Sequence, residues 1–147
     1  MSTRSHIIIK GAKPMIYRHC DGYPGKADGS EPGVLADITP FLSKFKKWRG
    51  GDKEYLTARL TQHLGNLFER DAEEEEKYGP NFLSLGIDLG LHGDEDYVHI
   101  IDTSKPTWTV QVREAKPELW DHPALRNTKL VETVKEPEYV EPVKAAK

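Results

Sequence analysis

Cysteine is almost missing from this chain, which carries only Cys20. A lone thiol excludes an intramolecular disulfide, so a reducing, intracellular setting is the expectation. Long apolar runs are missing too. No segment approaches the ~20 apolar residues that a membrane span needs. The three isoleucines of "MSTRSHIIIKG" are too short for the core of a signal peptide. These absences predict a cytoplasmic protein with no membrane partner.

A surplus of either charge is also lacking. Lys and Arg number 21 against 24 Asp and Glu, a net charge of −3. That balance argues against a dedicated nucleic-acid binder, which usually shows a strongly basic domain. The cationic stretch "KFKKWR", with its interleaved Phe45 and Trp48, reads most simply as a solvated helix face. No Walker loop, G-x-G-x-x-G fingerprint, Cys/His zinc module or G-x-S-x-G elbow occurs.

What is present is an alternation of strand and helix signals over a length of 147 residues, about one domain's worth. "HIIIK" and "MIYRHCD" are β-branched or aromatic runs joined by "GAKP", which predicts a hairpin. "GYPGKADGSEPG" is loop. In "DITPFLSKFKKW", Thr39 is a natural cap and Pro40 suits a first helical position. Ile38, Phe41, Leu42, Phe45 and Trp48 form an apolar stripe behind them. A second helix follows Asp52, with Leu56, Leu60, Leu64, Leu67 and Phe68 on its buried side. His63 sits at the edge of that stripe. The helix runs into the acidic "ERDAEEEEKYGP", a solvated end closed by Gly79 and Pro80.

"FLSLGIDLGL" alternates, with Leu83, Leu85, Ile87, Leu89 and Leu91 on one face and Ser84, Gly86, Asp88, Gly90 and His92 on the other. "HGDED" turns, "YVHIID" pairs back, and "TWTVQVRE" adds a strand with Trp108, Val110 and Val112 facing inward. The pattern predicts an α+β fold in the order ββααβββ: an antiparallel sheet, made of an N-terminal hairpin and a C-terminal meander, covered by two helices. Residues 1–115 form the domain. Residues 116–147, rich in proline and alternating charge, read as an extended, partly disordered tail.

Two segments concentrate the functional question. In "RHCDGY", alternation sets Tyr17, His19 and Asp21 on one side of a strand and Arg18 and Cys20 on the other. In "LHGDEDYVH", His92 and Asp94 border the turn, while Tyr97 and His99 share a strand face. If His19, Asp21, His92, Asp94 and His99 met at one sheet end, they would suit a divalent metal such as Zn²⁺ or Mn²⁺, or an acid/base pair for hydrolysis. The plainer reading makes the aspartates turn residues that bond nearby amides. A loose pair of H-x-D elements lacks the tight spacing of a recognised metal motif, so no metal, cofactor or catalytic residue is assigned. Cys20 reads as a small buried hydrophobe, because its neighbour His19 points to the opposite face. Arg4 and Arg18, with the glycine-rich loop, could hold an anionic small molecule or nucleotide. The candidate binding residues are therefore Arg4, Arg18, His19, Asp21, Tyr23, His92, Asp94 and Tyr97.

The segments "MSTRSHI", "IYRHCDGYPG", "ARLTQHLGNLFE" and "LHGDEDYVHIID" resemble, in order, a family of small uncharacterised proteins of tailed bacteriophages and prophages. That pattern has an M-S-T-R-S start, a Y-x-H-x-D-G-Y-P segment and an H-G-D-x-x-Y segment. Cys20 departs from it, standing where an aromatic residue is expected, and the "GKADGSEPG" loop is longer. The resemblance implies a phage-encoded accessory protein in the host bacterial cytoplasm. Such a protein would bind a host protein or defence complex, or sequester a nucleotide, and so counter a defence. The competing expectation is a small metal-dependent hydrolase or nucleotide-processing enzyme built on His19, Asp21, His92 and Asp94. A homodimer is compatible with either, through an uncovered sheet edge or the Trp48 helix end.

Overall fold

The computed structural model describes residues 3–80, 85–92, 94–116 and 128–137. The fold is α+β, with strands β1 (Ser5–Ile9), β2 (Met15–Arg18), β3 (Leu85–Asp88), β4 (Tyr97–Asp102), β5 (Thr109–Ala115) and β6 (Thr128–Lys135). Helices α1 (Val34–Arg49), α2 (Lys53–Leu67) and α3 (Ala72–Tyr78) lie between β2 and β3. No described helix is long and apolar enough to cross a membrane.

The six strands form one sheet in the order β3-β2-β1-β4-β5-β6. It is mixed rather than purely antiparallel, because β1 pairs in parallel with β4, Ile7 opposite His99. A parallel neighbour needs a long crossover, and the helices and β3 supply it. The expected meander is displaced accordingly. β3 leaves "YVHIID" and pairs with β2 at the sheet edge, Tyr17 opposite Gly86. The run of antiparallel neighbours is instead β4-β5-β6. β6 falls in the stretch expected to be tail. It is held by pairing with β5 and by the Lys46–Glu136 ion pair at 2.7 Å. The rest of that stretch, 117–127 and 138–147, lies outside the described residues.

One face of the sheet carries the core. Ile7, Ile9, Ile16, Ile101, Val110 and Val112 pack against Val34, Leu35, Ile38, Leu42 and Phe45 of α1 and Leu56, Leu60 and Leu64 of α2. Trp108 joins them, its indole Nε1 donating to Ser43 Oγ at 3.3 Å. The helical stripes follow the expected spacing, with two departures. Trp48 is 77% exposed and Leu67 half-exposed, both near the ends of their helices. α1 also starts earlier than its cap signal. Gly33 is the cap, and Pro40 lies inside the helix. Thr39 is buried in the second turn, its Oγ1 donating to Leu35 O and Ala27 O. The acidic run is not a continuation of α2 but a separate short helix, α3, capped by the Asp71 side chain on the Glu74 amide. On β3, Leu85 packs on the core while Ile87 and Leu89 are exposed. Leu83 and Ser84 lie outside the described residues.

Candidate functional site

Strand alternation fixes which side chains oppose the core. Ile7 and Ile9 face the helices, so His6, one residue before Ile7, points to the other face. His6 stands opposite Tyr17 of β2, and Tyr17 opposite Gly86 of β3. Asp88, two residues beyond Gly86, shares their face. Three neighbouring strands thus bring His6, Tyr17 and Asp88 to one side of the sheet.

The segment after β3 closes over this row. His92 is bridged to Asp88 Oδ2 through its Nε2, and its ring lies 4.9 Å from His6 and 4.5 Å from Tyr17, centroid to centroid. The segment is tied back to the start of β1 by Arg4. Its Nη1 donates to Asp94 Oδ2 at 2.6 Å, its amide donates to Asp96 Oδ2 at 3.0 Å, and its carbonyl accepts from the Asp96 amide. Glu95, buried between those anchors, faces His6.

His6 is the centre of the cluster. Its side chain is fully buried, with Nε2 3.5 Å from Asp88 Oδ2 and Nδ1 3.5 Å from Glu95 Oε1. At that separation the contacts are electrostatic, and neither ring nitrogen makes a hydrogen bond. Asp94 Oδ1 and Arg4 Nε are also buried without a hydrogen-bond partner. Burial works to raise the Asp88 pKa. The Leu89 amide, His92, His6 and the Gly90 amide outweigh it and hold the carboxyl below its ordinary value. Burial pushes the Tyr17 phenol up; Asp94 and Glu95 add to this while Arg4 opposes it. The phenol therefore stays protonated at neutral pH, and it lies 2.9 Å from His19 Nδ1. Among the described residues, His6, Asp88 and His92 are placed as a metal-holding set, with one donor atom from each within 4.8 Å of the others.

The candidate residues divide between the two faces. Arg4, His92 and Asp94 belong to the cluster, and His19 reaches it through Tyr17. Arg18 does not. It points to the helix side, where its guanidinium pairs with Asp37 at 2.7 Å, donates to Cys20 O and lies 4.5 Å over the Phe68 ring. Asp21 adopts a left-handed φ of 54° and lines a cleft with Cys20, Leu67, Phe68, Glu69, Arg70 and Glu74. Tyr23 contributes backbone, its carbonyl accepting from the Val34 amide at the start of α1. Tyr97 packs against the core face, with burial raising its pKa. His99, expected with His19 and His92, stands opposite Ile7 and Val112 on that same core face. The cluster members that sequence reasoning did not select are His6, Tyr17, Asp88 and Glu95. For Asp88 the signal was present, since alternation already put it beside His92.

No family model, curated protein or solved structure matches the chain.

Proposed function

We propose that the protein is a binding protein that captures its ligand at the polar cluster opposite the helices. The observation that carries this reading is a set of buried polar atoms without hydrogen-bond partners: both ring nitrogens of His6, Asp94 Oδ1 and Arg4 Nε. Each such group costs about 1–3 kcal/mol when left unpaired, so a ligand that pairs them gains that much in binding. Groups from β1, β2, β3 and the following segment converge there, which no single local turn requires. In the setting that the segment resemblance implies, the ligand is a host component and the protein a phage accessory factor acting in counter-defence. A second reading, a small metal-dependent hydrolase, is favoured by the close approach of His6, Asp88 and His92.

The test is capture from host lysate and small-molecule extract by immobilised wild-type protein, with His92→Ala, Asp94→Ala and His19→Ala beside it. His92 and Asp94 are each over a third exposed, so these variants should stay folded. Folded variants are expected to lose a ligand that the wild type retains. Identical captured sets from all four proteins would remove the cluster as the working site.

A further inference from the structure

We infer that His6, Asp88 and His92 bind a divalent cation of the borderline class, Zn²⁺ or Co²⁺. This deepens the reading that the cluster is a ligand site and rests on it. Two imidazoles and one carboxylate are the donor set such ions prefer, whereas Mg²⁺ and Ca²⁺ take oxygen ligands.

Three features of the geometry agree. First, spacing: donors on a tetrahedral ion with bonds near 2.0 Å stand roughly 3.3 Å apart. His6 Nε2 and Asp88 Oδ2 are 3.5 Å apart, and one donor atom from each of His6, Asp88 and His92 lies within 4.8 Å of the others. Second, His6 is wholly buried and aimed into the cluster with neither nitrogen hydrogen-bonded, a costly arrangement that a coordinate bond would resolve. Third, each imidazole has a carboxylate behind it. Glu95 Oε1 lies 3.5 Å from His6 Nδ1, and Asp94 Oδ1 lies 4.0 Å from His92 Nδ1. A carboxylate that accepts the other ring N–H fixes the tautomer and orientation of a metal-binding histidine, and Glu95 and Asp94 stand on the side where such bonds would form. Arg4 in turn holds Asp94 through its other oxygen.

Three protein donors leave coordination positions for water or a captured ligand, and the half-exposed His92 side gives access to them. Tyr17 packs against both imidazoles and restricts their rotation.

The experiment uses the full chain without a histidine tag, stripped with chelator, and titrated with Co²⁺ and Zn²⁺ alone. Calorimetry gives stoichiometry and affinity, and the visible absorption of Co²⁺ reports coordination. One equivalent is expected to bind and to raise the melting temperature. His92→Ala and Asp88→Asn should each weaken binding more than tenfold, and Glu95→Gln about tenfold with an altered Co²⁺ spectrum. His63→Ala is the control, because its imidazole bonds Asp37 O on the helix side, and it should bind as wild type does. Wild-type protein that takes up no Co²⁺ or Zn²⁺ overturns the inference. So does His92→Ala protein that binds as tightly as wild type. If neither ion binds while ligand capture is still lost in folded His92→Ala, the cation site fails and the ligand-site reading stands.

Discussion

The fold opposes protonation of His99. Its imidazole is fully buried on the core face between Ile7 and Val112, and neither ring nitrogen has a hydrogen-bond partner. Burial first, and then the Arg18 guanidinium, push its pKa down to about 3 from the ordinary 6.5. The unfolded chain therefore binds a proton between these values that the native state refuses. Stability is flat above pH 6.5 and falls as pH drops towards 3, by about 1.4 kcal/mol per unit once well below 6.5. Integrated from pH 7 to pH 4, the loss is roughly 3 kcal/mol, a large part of the 5–15 kcal/mol of an ordinary domain. His99→Leu keeps the volume and removes the titration. Urea unfolding of both proteins at pH 7, 6, 5 and 4 isolates the effect, because carboxylate titrations are common to both and cancel in the difference. The variant should gain on wild type by roughly 3 kcal/mol across that range. A difference that does not change with pH would mean that His99 meets water or an anion in the native state, and the reasoning would be wrong.

Three further outcomes test the architecture. Leu64→Asp places an uncompensated charge at a position with no solvent exposure, and should leave no cooperative unfolding transition by circular dichroism. Arg18→Ala strands Asp37 beside the core and should cost roughly 3 kcal/mol in urea unfolding, with Arg18→Lys recovering little, because a lysine cannot reach Asp37 and Cys20 O together. Truncation after Thr133 removes the Val134 and Lys135 pairings with β5 and the Glu136 contacts to Lys46 and Trp108 O. The melting temperature should fall by about 4 °C or more, and coincident melts would show that the end of β6 contributes nothing.

Periodicity made the layers legible. Ile38, Leu42, Phe45, Leu56, Leu60 and Leu64 recur at helical spacing, Val110 and Val112 alternate, and all are buried. What periodicity cannot supply is the identity of a strand's neighbour. The same alternation in "FLSLGIDLGL" fits a hairpin with "YVHIID" or an edge beside β2, and only the tertiary fold chooses. β6 was hidden for a related reason. Apart from Thr128 and Val134 it is exposed, so Leu130 and Val131 leave no alternating signature among its charges. Pro40 misplaced the start of α1 because the packing of Val34, Leu35 and Ile38 outweighs the missing amide bond.

The cluster shows the same limit at finer scale. Alternation alone puts His6 opposite Ile7, Tyr17 opposite Ile16, and Asp88 with His92, so each half of the site could be read locally. Joining the halves needs β2 to lie between β1 and β3, a fact of topology. The repeated H-x-D pattern suggests a pairing of the two segments that the structure makes only in part. His19 reaches His92 only through Tyr17, and Asp21 leaves the row, because the backbone turns left-handed at Asp21 and carries its carboxylate off the strand alternation towards the α2 end. His92 and Asp94 contact Asp88 before them and His6 and Arg4 across the sheet. A histidine at the head of an isoleucine run is therefore the more informative symbol in this sequence. An unpaired buried imidazole is costly, and β1, central in the sheet, is where polar groups from both directions can reach it.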